Sequence, residues 1–380
     1  MKISHIFTND FRPGRLFEIP EQPINVMLDV TNVCNNRCLF CYNPDGEEYR
    51  NHPPDLEQLQ RIILKIAKAG TREILYLGGE PFALPAMKTL LSTGKKLGML
   101  QRAVSNGSFF VDAGRCRELK KCGLDEVGIS IHSSIDNLHD RISGRKGAFR
   151  DAITGIENCL IAGVATFVQY SPNTLNAPDD LLKLSDFLYV RFGGKIDLID
   201  INRLLPLGKG SRAKRLFLSE NSWFELLVSA AELPDLGYEV RVELTPHCWI
   251  MHKSTQHRIP DHTVQRIFHM NRGCYMWIAQ LALDVQGRIK FCPAGPPVGP
   301  SILDVKWPEF WKRWEPFETY RRFGWNKTCV DFQAKSACRH FYSCLGGCKY
   351  SKGSHYELDA YCLKIDQSFT LTAERSETLP

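Results

Sequence analysis

Asn25-Val-Met-Leu-Asp-Val-Thr31, followed by Asn32-Val-Cys34-Asn-Asn-Arg-Cys38-Leu-Phe-Cys41, is the stretch on which the fold turns. A mostly apolar, β-branched run ends at a polar turn, which reads as a buried strand delivering a loop. That loop carries three cysteines within eight residues. Three thiolates so spaced can wrap one corner of an iron–sulfur cluster. A 4Fe–4S cluster takes four ligands, so one iron stays open to bind something else. Two plainer readings compete, a zinc knuckle and three unrelated buried thiols. Zinc sites usually use paired C-x2-C clips and close the shell with a fourth ligand, which nothing local supplies.

Outward from this strand, short β-branched runs alternate with amphipathic helical stretches from Ile24 to about Leu205. Strands are expected at Asn25–Thr31, Arg72–Leu77, Arg102–Ser105, Glu126–His132, Ala165–Ser171 and Lys195–Asn202. Between them, Asp55–Ala69 sets Leu56, Leu59, Ile62, Ile63 and Ile66 at helical spacing behind the start signal Pro54. Phe149–Ala162 and Asp179–Phe192 repeat the pattern, with Gly163 and Gly193 as stops. Six strand–helix units imply a parallel sheet with right-handed crossovers. After about Gly237 the character changes: residues 245–362 hold eight of the fourteen cysteines, many turn residues and few long periodic stretches. The organisation expected is a segment 1–24, an α/β unit 25–237, a cysteine-rich domain 238–362 and a frayed tail 363–380.

Composition narrows the class. The 380 residues are 43% hydrophobic and 24% charged, which is ordinary for a globular protein of two or more domains. A net charge of +6 without a run of five like charges gives no nucleic-acid arm. No apolar stretch is long enough to span a membrane, and Met1–Asp10 lacks the apolar core of a signal peptide. Cysteines in such a chain read as metal ligands in the reducing cytoplasm rather than a disulfide framework.

The C-x3-C-x2-C spacing of Cys34, Cys38 and Cys41 resembles the signature of the radical S-adenosylmethionine (SAM) superfamily. The resemblance implies a partial (β/α)6 TIM-like barrel, with its chemistry at the C-terminal strand ends. It implies further that Tyr42 lies near the adenine and that Gly78-Gly79-Glu80-Pro81 binds the methionyl amine. Two glycines let a ligand approach the backbone, and a carboxylate accepts from an ammonium. Ser105-Asn106-Gly107 resembles the family's Ser-Asn-Gly turn, where Ser105 or Asn106 meets ribose or carboxylate. Ile129-Ser130-Ile131-His132-Ser133 looks like the family's Ser-x-Asp-Gly stretch, with His132 and Ser133 replacing Asp and Gly. It places Ser130 on the cofactor carboxylate, together with Arg145 or Arg141, since a guanidinium matches a carboxylate fork. His139 reads as structural, and Arg203 as cofactor contact or framework in equal measure.

Cys274, Gly287, Cys292, then Cys338-x5-Cys344-x3-Cys348 and Cys362 resemble SPASM, an extension that carries two auxiliary 4Fe–4S clusters. Lys335 stands where that pattern has a cysteine, and Cys329 is the available replacement. The family's interleaved ligation assigns Cys248, Cys274, Cys292 and Cys348 to one auxiliary cluster. Cys329, Cys338, Cys344 and Cys362 form the other, leaving Cys116, Cys122 and Cys159 as packing. The rival view keeps an open iron on one of the two.

The function expected is reductive cleavage of SAM to a 5′-deoxyadenosyl radical, which abstracts hydrogen from a substrate. A ribosomally made peptide is favoured, to be crosslinked, epimerised or oxidised. Small-molecule tailoring of a sugar or aminoglycoside competes, because about two dozen residues before the first strand are too few for a peptide-recognition domain. An iron–sulfur electron carrier is the reading from another class. A flavodoxin or ferredoxin would supply electrons, and the setting is cytoplasmic.

Overall fold

Short runs rich in apolar and β-branched residues, separated by helices, form parallel strands, and the described residues build eleven strands into one sheet. The structure is a computed structural model, and it describes residues 20–43, 54–243, 245–272, 276–307 and 309–317. The first part alternates β1 (Asn25–Thr31), α1 (Leu56–Lys68), β2 (Glu73–Gly78), α2 (Met87–Lys96), β3 (Leu100–Ser105), α3 (Ala113–Cys122) and β4 (Glu126–Ser130). Two helices follow, α4 (Asp136–Ser143) and α5 (Ala148–Ile161), then β5 (Ala165–Tyr170), α6 (Asp180–Phe192) and β6 (Leu198–Ile201). Strands β1 to β6 pair in sequence order, each parallel to the next. The α/β parallel sheet expected from the periodicity is there.

The sheet does not stop at Gly237. After α7 (Glu220–Ala230), β7 (Glu239–Glu243) pairs parallel with β6, and past α8 (His247–Gln256) and α9 (Asp261–Met270) β8 (Asn271–Arg272) pairs with β7. At the other edge β9 (Gln280–Leu283) lies parallel to β1. Beyond it, β10 (Arg288–Lys290) and β11 (Pro297–Ser301) continue antiparallel, and α10 (Glu309–Arg313) follows. Among the described residues β8 and β11 remain the two edges, so the sheet is not closed. Val240, Val242, Leu281 and Leu283 are the buried alternation that recruits these later segments.

The two faces of the sheet differ. Val26, Leu28, Ile74, Tyr76, Ala103, Val127, Ile129, Val168 and Ile199 are fully buried beneath the helices. Leu59, Ile62, Ile63 and Ile66 of α1 pack there, each contributing about 1.5–3 kcal/mol through burial. Their register neighbours on the opposite face, Met27, Leu75, Val104, Ser130, Gln169 and Asp200, are only partly buried. That second face mixes apolar Met27, Leu75 and Val104 with polar Ser130, Gln169 and Asp200 and keeps partial solvent access. At the strand starts it is sealed instead: Arg102 pairs with Glu73 at 3.1 Å and with Glu126, all three buried, and its guanidinium lies 5.7 Å from the Phe167 ring. On the neighbouring strands Lys290 pairs with Asp29 at 2.8 Å, also buried.

Candidate active site

The cysteine loop leaves β1 at Thr31 and is stitched down by elements far away in sequence. Arg37 and Leu39 donate their backbone N–H to the carbonyls of Ser143 (2.9 Å) and Ile142 (3.0 Å) at the end of α4. Lys209 N–H donates to the Cys41 carbonyl at 2.8 Å, and Asn43 Nδ2 to the Gly78 carbonyl at 2.8 Å. Gly78 (φ +130°) and Gly79 run directly beneath this loop. A Cβ at either would collide with the carbonyl of Thr31 or Val33, while Gly79 N–H and Glu80 N–H donate to those same carbonyls at 2.7 Å. The room that the two glycines make is therefore taken by the protein's own backbone rather than left for a ligand.

Glu80 lies at the centre. It is buried, and its carboxylate accepts from Ser105 Oγ (2.8 Å), Asn106 N–H (2.8 Å) and Phe82 N–H (3.2 Å). These bonds cap the 3₁₀ turn that Pro81 begins and tie the end of β2 to the end of β3. Burial pushes the Glu80 carboxyl up to about 7; the Asn106, Ser105 and Phe82 donors and the charge of Arg115 pull the other way. Arg115 itself is spent on the Phe82 carbonyl. Among the described residues no cation pairs with Glu80. Asn106 also reaches the loop, donating Nδ2 to Asn35 Oδ1 (2.8 Å) and to Cys34 Sγ (3.8 Å).

Arg145, in the turn between α4 and α5, faces the loop from the other side. Nε donates to Asn36 Oδ1 at 2.6 Å and Nη1 to Asp151 at 2.7 Å, while the buried Nη2 has no partner. A guanidinium with one arm unspent beside the cysteine loop suits a carboxylate. Ser130 ends β4 beside Gln169, on the partly buried face. Arg203 follows β6, half-buried, and Tyr42 closes the loop where Gly208 (φ +53°) crosses its carbonyl.

Sequence reasoning missed Phe40 and Asn36. Phe40 meets the His132 ring edge-on, 5.2 Å between centroids, and His132 stacks on His139 at 5.6 Å. Burial lowers these imidazoles to about 3 and about 4, so both are neutral. His139 accepts from His132 N–H at 3.1 Å and contacts Ser143 Oγ at 3.1 Å, a framework role. The aromatic between Cys38 and Cys41 was the available signal for Phe40; the Arg145 contact of Asn36 had none.

Residues 28–177 match the model of the radical SAM superfamily. They form a radical SAM domain. Over 196 residues (52% of this chain, 47% of the relative) the sequence is 29% identical to Fe-coproporphyrin III synthase of Methanosarcina barkeri. Over 159 residues (41% and 38%) it is 33% identical to the sporulation killing factor maturation protein SkfB of Bacillus subtilis. The matched stretch thus spans less than half the length of either curated relative. Streptococcus suis SuiB, solved bound to precursor peptide SuiA, shares the fold with a TM-score of 0.66 at 16% identity, covering 91% of this chain and 77% of SuiB.

A radical SAM domain implies a 4Fe–4S cluster and SAM, and the residues present fit both. Burial raises the thiol of Cys34 to about 11 and raises that of Cys38, and each sulfur adds to the cost of ionising its neighbours. Half-buried thiols of this kind ionise once a metal supplies the compensating charge. Among the described residues no three His, Cys, Asp or Glu side chains converge on a single metal ion; a cubane asks less, since each thiolate takes a separate iron. Arg145 Nη2 and Glu80, which among the described residues have no hydrogen-bond partner and no cation respectively, suit the carboxylate and ammonium of a methionyl group. Cys248, in the first turn of α8, and Cys292, after β10, are half-buried. Cys274, Cys329, Cys338, Cys344, Cys348 and Cys362 lie outside the described residues. No described helix is long and apolar enough to cross a membrane.

Proposed function

We propose that this chain is a radical SAM enzyme that modifies a ribosomally made peptide. The observation that carries the reading is Glu80, a buried carboxyl held by three neutral donors beside the cysteine loop, with no cation paired to it among the described residues. When bound, the cluster and SAM supply a 5′-deoxyadenosyl radical able to abstract hydrogen from a substrate. Cys34, Cys38 and Cys41 hold the cluster. Glu80 receives the methionyl ammonium and Arg145 the carboxylate, with Ser130 alongside; Tyr42, Ser105, Asn106 and Arg203 border the nucleoside. Phe40 and the neutral His132 keep water from that wall of the cleft.

The cysteine-rich part holds two auxiliary clusters, Cys248, Cys274, Cys292 and Cys348 on one and Cys329, Cys338, Cys344 and Cys362 on the other. The protein works in the cytoplasm with a flavodoxin or ferredoxin as reductant. Support for a peptide comes from the maturation protein SkfB among the relatives and from the fold shared with SuiB. Small-molecule tailoring is the second reading, favoured by the likeness to Fe-coproporphyrin III synthase.

The test is anaerobic reconstitution with iron and sulfide, then dithionite, SAM and candidate precursor peptides, reading 5′-deoxyadenosine and peptide mass. Cys34→Ala is expected to abolish 5′-deoxyadenosine. Cys338→Ala should keep cofactor cleavage and lose product. Turnover on a small molecule with no mass change on any peptide would reverse the order of the two readings.

A further inference from the structure

An enzyme of the kind proposed above needs one electron from outside for each cofactor cleavage, and the surface beside the cysteine loop is built to attract a particular kind of donor. The segment 203–217 holds five Lys and Arg residues and no Asp or Glu. It folds back on the cysteine loop: Lys209 N–H bonds the Cys41 carbonyl, and Gly208 lies against the carbonyls of Tyr42 and Asn43. Between the two runs a groove of about 450 Å³ with walls that include Leu39, Lys209, Arg212, Lys214, Arg215 and Leu216.

Elsewhere on the surface Lys88 pairs with Glu118, Arg191 with Glu157 and Arg266 with Asp235. Among the described residues no carboxylate pairs with Arg212, Lys214 or Arg215, all three exposed. Leu39, between two of the cysteines, gives the groove an apolar wall next to the place where an electron must arrive.

We infer that this groove docks a small acidic one-electron carrier protein of the flavodoxin or ferredoxin class. The inference rests on the function proposed above. In the docked pair the carrier's reduced group loses one electron and the iron–sulfur centre held by the cysteine loop gains it. No bond is made, and the oxidised carrier leaves. Complementary charge raises encounter rates by about 10–1000-fold and is screened by salt. A short apolar patch inside a cationic rim suits a partner that must bind, deliver and depart.

The test compares wild type with Arg212→Glu/Arg215→Glu, and with Arg117→Glu/Lys121→Glu on the exposed side of α3, which carries the same change in net charge. Binding of a flavodoxin is measured by interferometry at low and high salt. 5′-Deoxyadenosine formation is followed with flavodoxin or with dithionite as reductant, and peptide turnover with dithionite. The groove variant should bind at least tenfold more weakly, lose most salt dependence and slow only flavodoxin-driven cleavage, with the α3 variant near wild type. Equal binding by wild type and groove variant overturns the inference. So does a groove variant that loses dithionite-driven peptide turnover, which would assign the groove to an acidic substrate segment. Wild type that makes no 5′-deoxyadenosine with dithionite sinks the enzyme reading instead, while the binding comparison still judges the groove.

Discussion

Two buried carboxyl groups at opposite ends of β2 meet opposite fates. Glu73, at the start of β2, faces Arg102, which Glu126 also binds, and Phe167 lies over the guanidinium. Glu80, just past the end of β2, is as deeply buried but among the described residues accepts only from Ser105, Asn106 and Phe82. Burial raises both carboxyls to about 7, although Arg102 pulls Glu73 down. At the strand starts one guanidinium serves two acids, and the arrangement is complete. At the strand ends the acid has hydrogen bonds but, among the described residues, no paired cation, and the guanidinium of Arg145 across the cysteine loop has one arm without a described partner. The contrast separates a polar group that holds the fold from one that awaits a ligand.

The largest expected effect tests the first half of this contrast. Arg102→Met leaves two carboxyls buried without a cation and should cost about 3–5 kcal/mol of stability, read by chemical denaturation. Once folded, this variant should bind SAM as wild type does. Glu80→Gln should do the reverse, with little change in stability and SAM binding about 10–100-fold weaker by equilibrium dialysis. If both variants lose stability equally and keep SAM affinity, the two carboxyls do the same job and the contrast is wrong.

A smaller effect follows from protonation. The Glu80 carboxyl, raised by burial to about 7, is mostly neutral below that pH. An ammonium ligand favours the ionised form, so SAM affinity should rise with pH through about 7 and level off above it. At pH 6 it should be about tenfold weaker than on the plateau. Ser105 donates to this carboxylate and so lowers its pKa. Ser105→Ala should therefore move the midpoint upward, at about 1 kcal/mol of stability. A flat pH profile in wild type would show that Glu80 does not meet the ammonium. The smallest effect belongs to Asp55→Ala, which removes the cap on α1 and should cost about 1 kcal/mol without touching SAM binding.

The strands of the α/β unit were legible as short β-branched runs, set between helices α1, α5 and α6, which each carry four or more buried apolar residues at helical spacing. Asn25–Thr31 is β1 to the residue, and helix α1 differs from its expected span by one residue at each end. What periodicity could not show was that β7 to β11 join the same sheet. Of these, β8, β9 and β10 have only two, four and three residues, so pairing rather than pattern makes them strands. Within the site, Gly78, Gly79 and Glu80 were visible as a motif, but the reason for the glycines was not. They serve close packing against Thr31 and Val33, a contact between residues over forty positions apart. The Arg145–Asn36 bond, 109 residues apart in sequence, was equally out of reach of local pattern.

The most direct measurement is an electron paramagnetic resonance titration of anaerobically reconstituted, dithionite-reduced protein with SAM. Wild type should show a reduced 4Fe–4S signal that shifts as SAM is added, and Glu80→Gln should show the same starting signal but need far more SAM to shift it. A wild-type signal that SAM leaves unmoved, or a Glu80→Gln titration that overlays wild type, would contradict the assignment of the strand-end cleft to SAM.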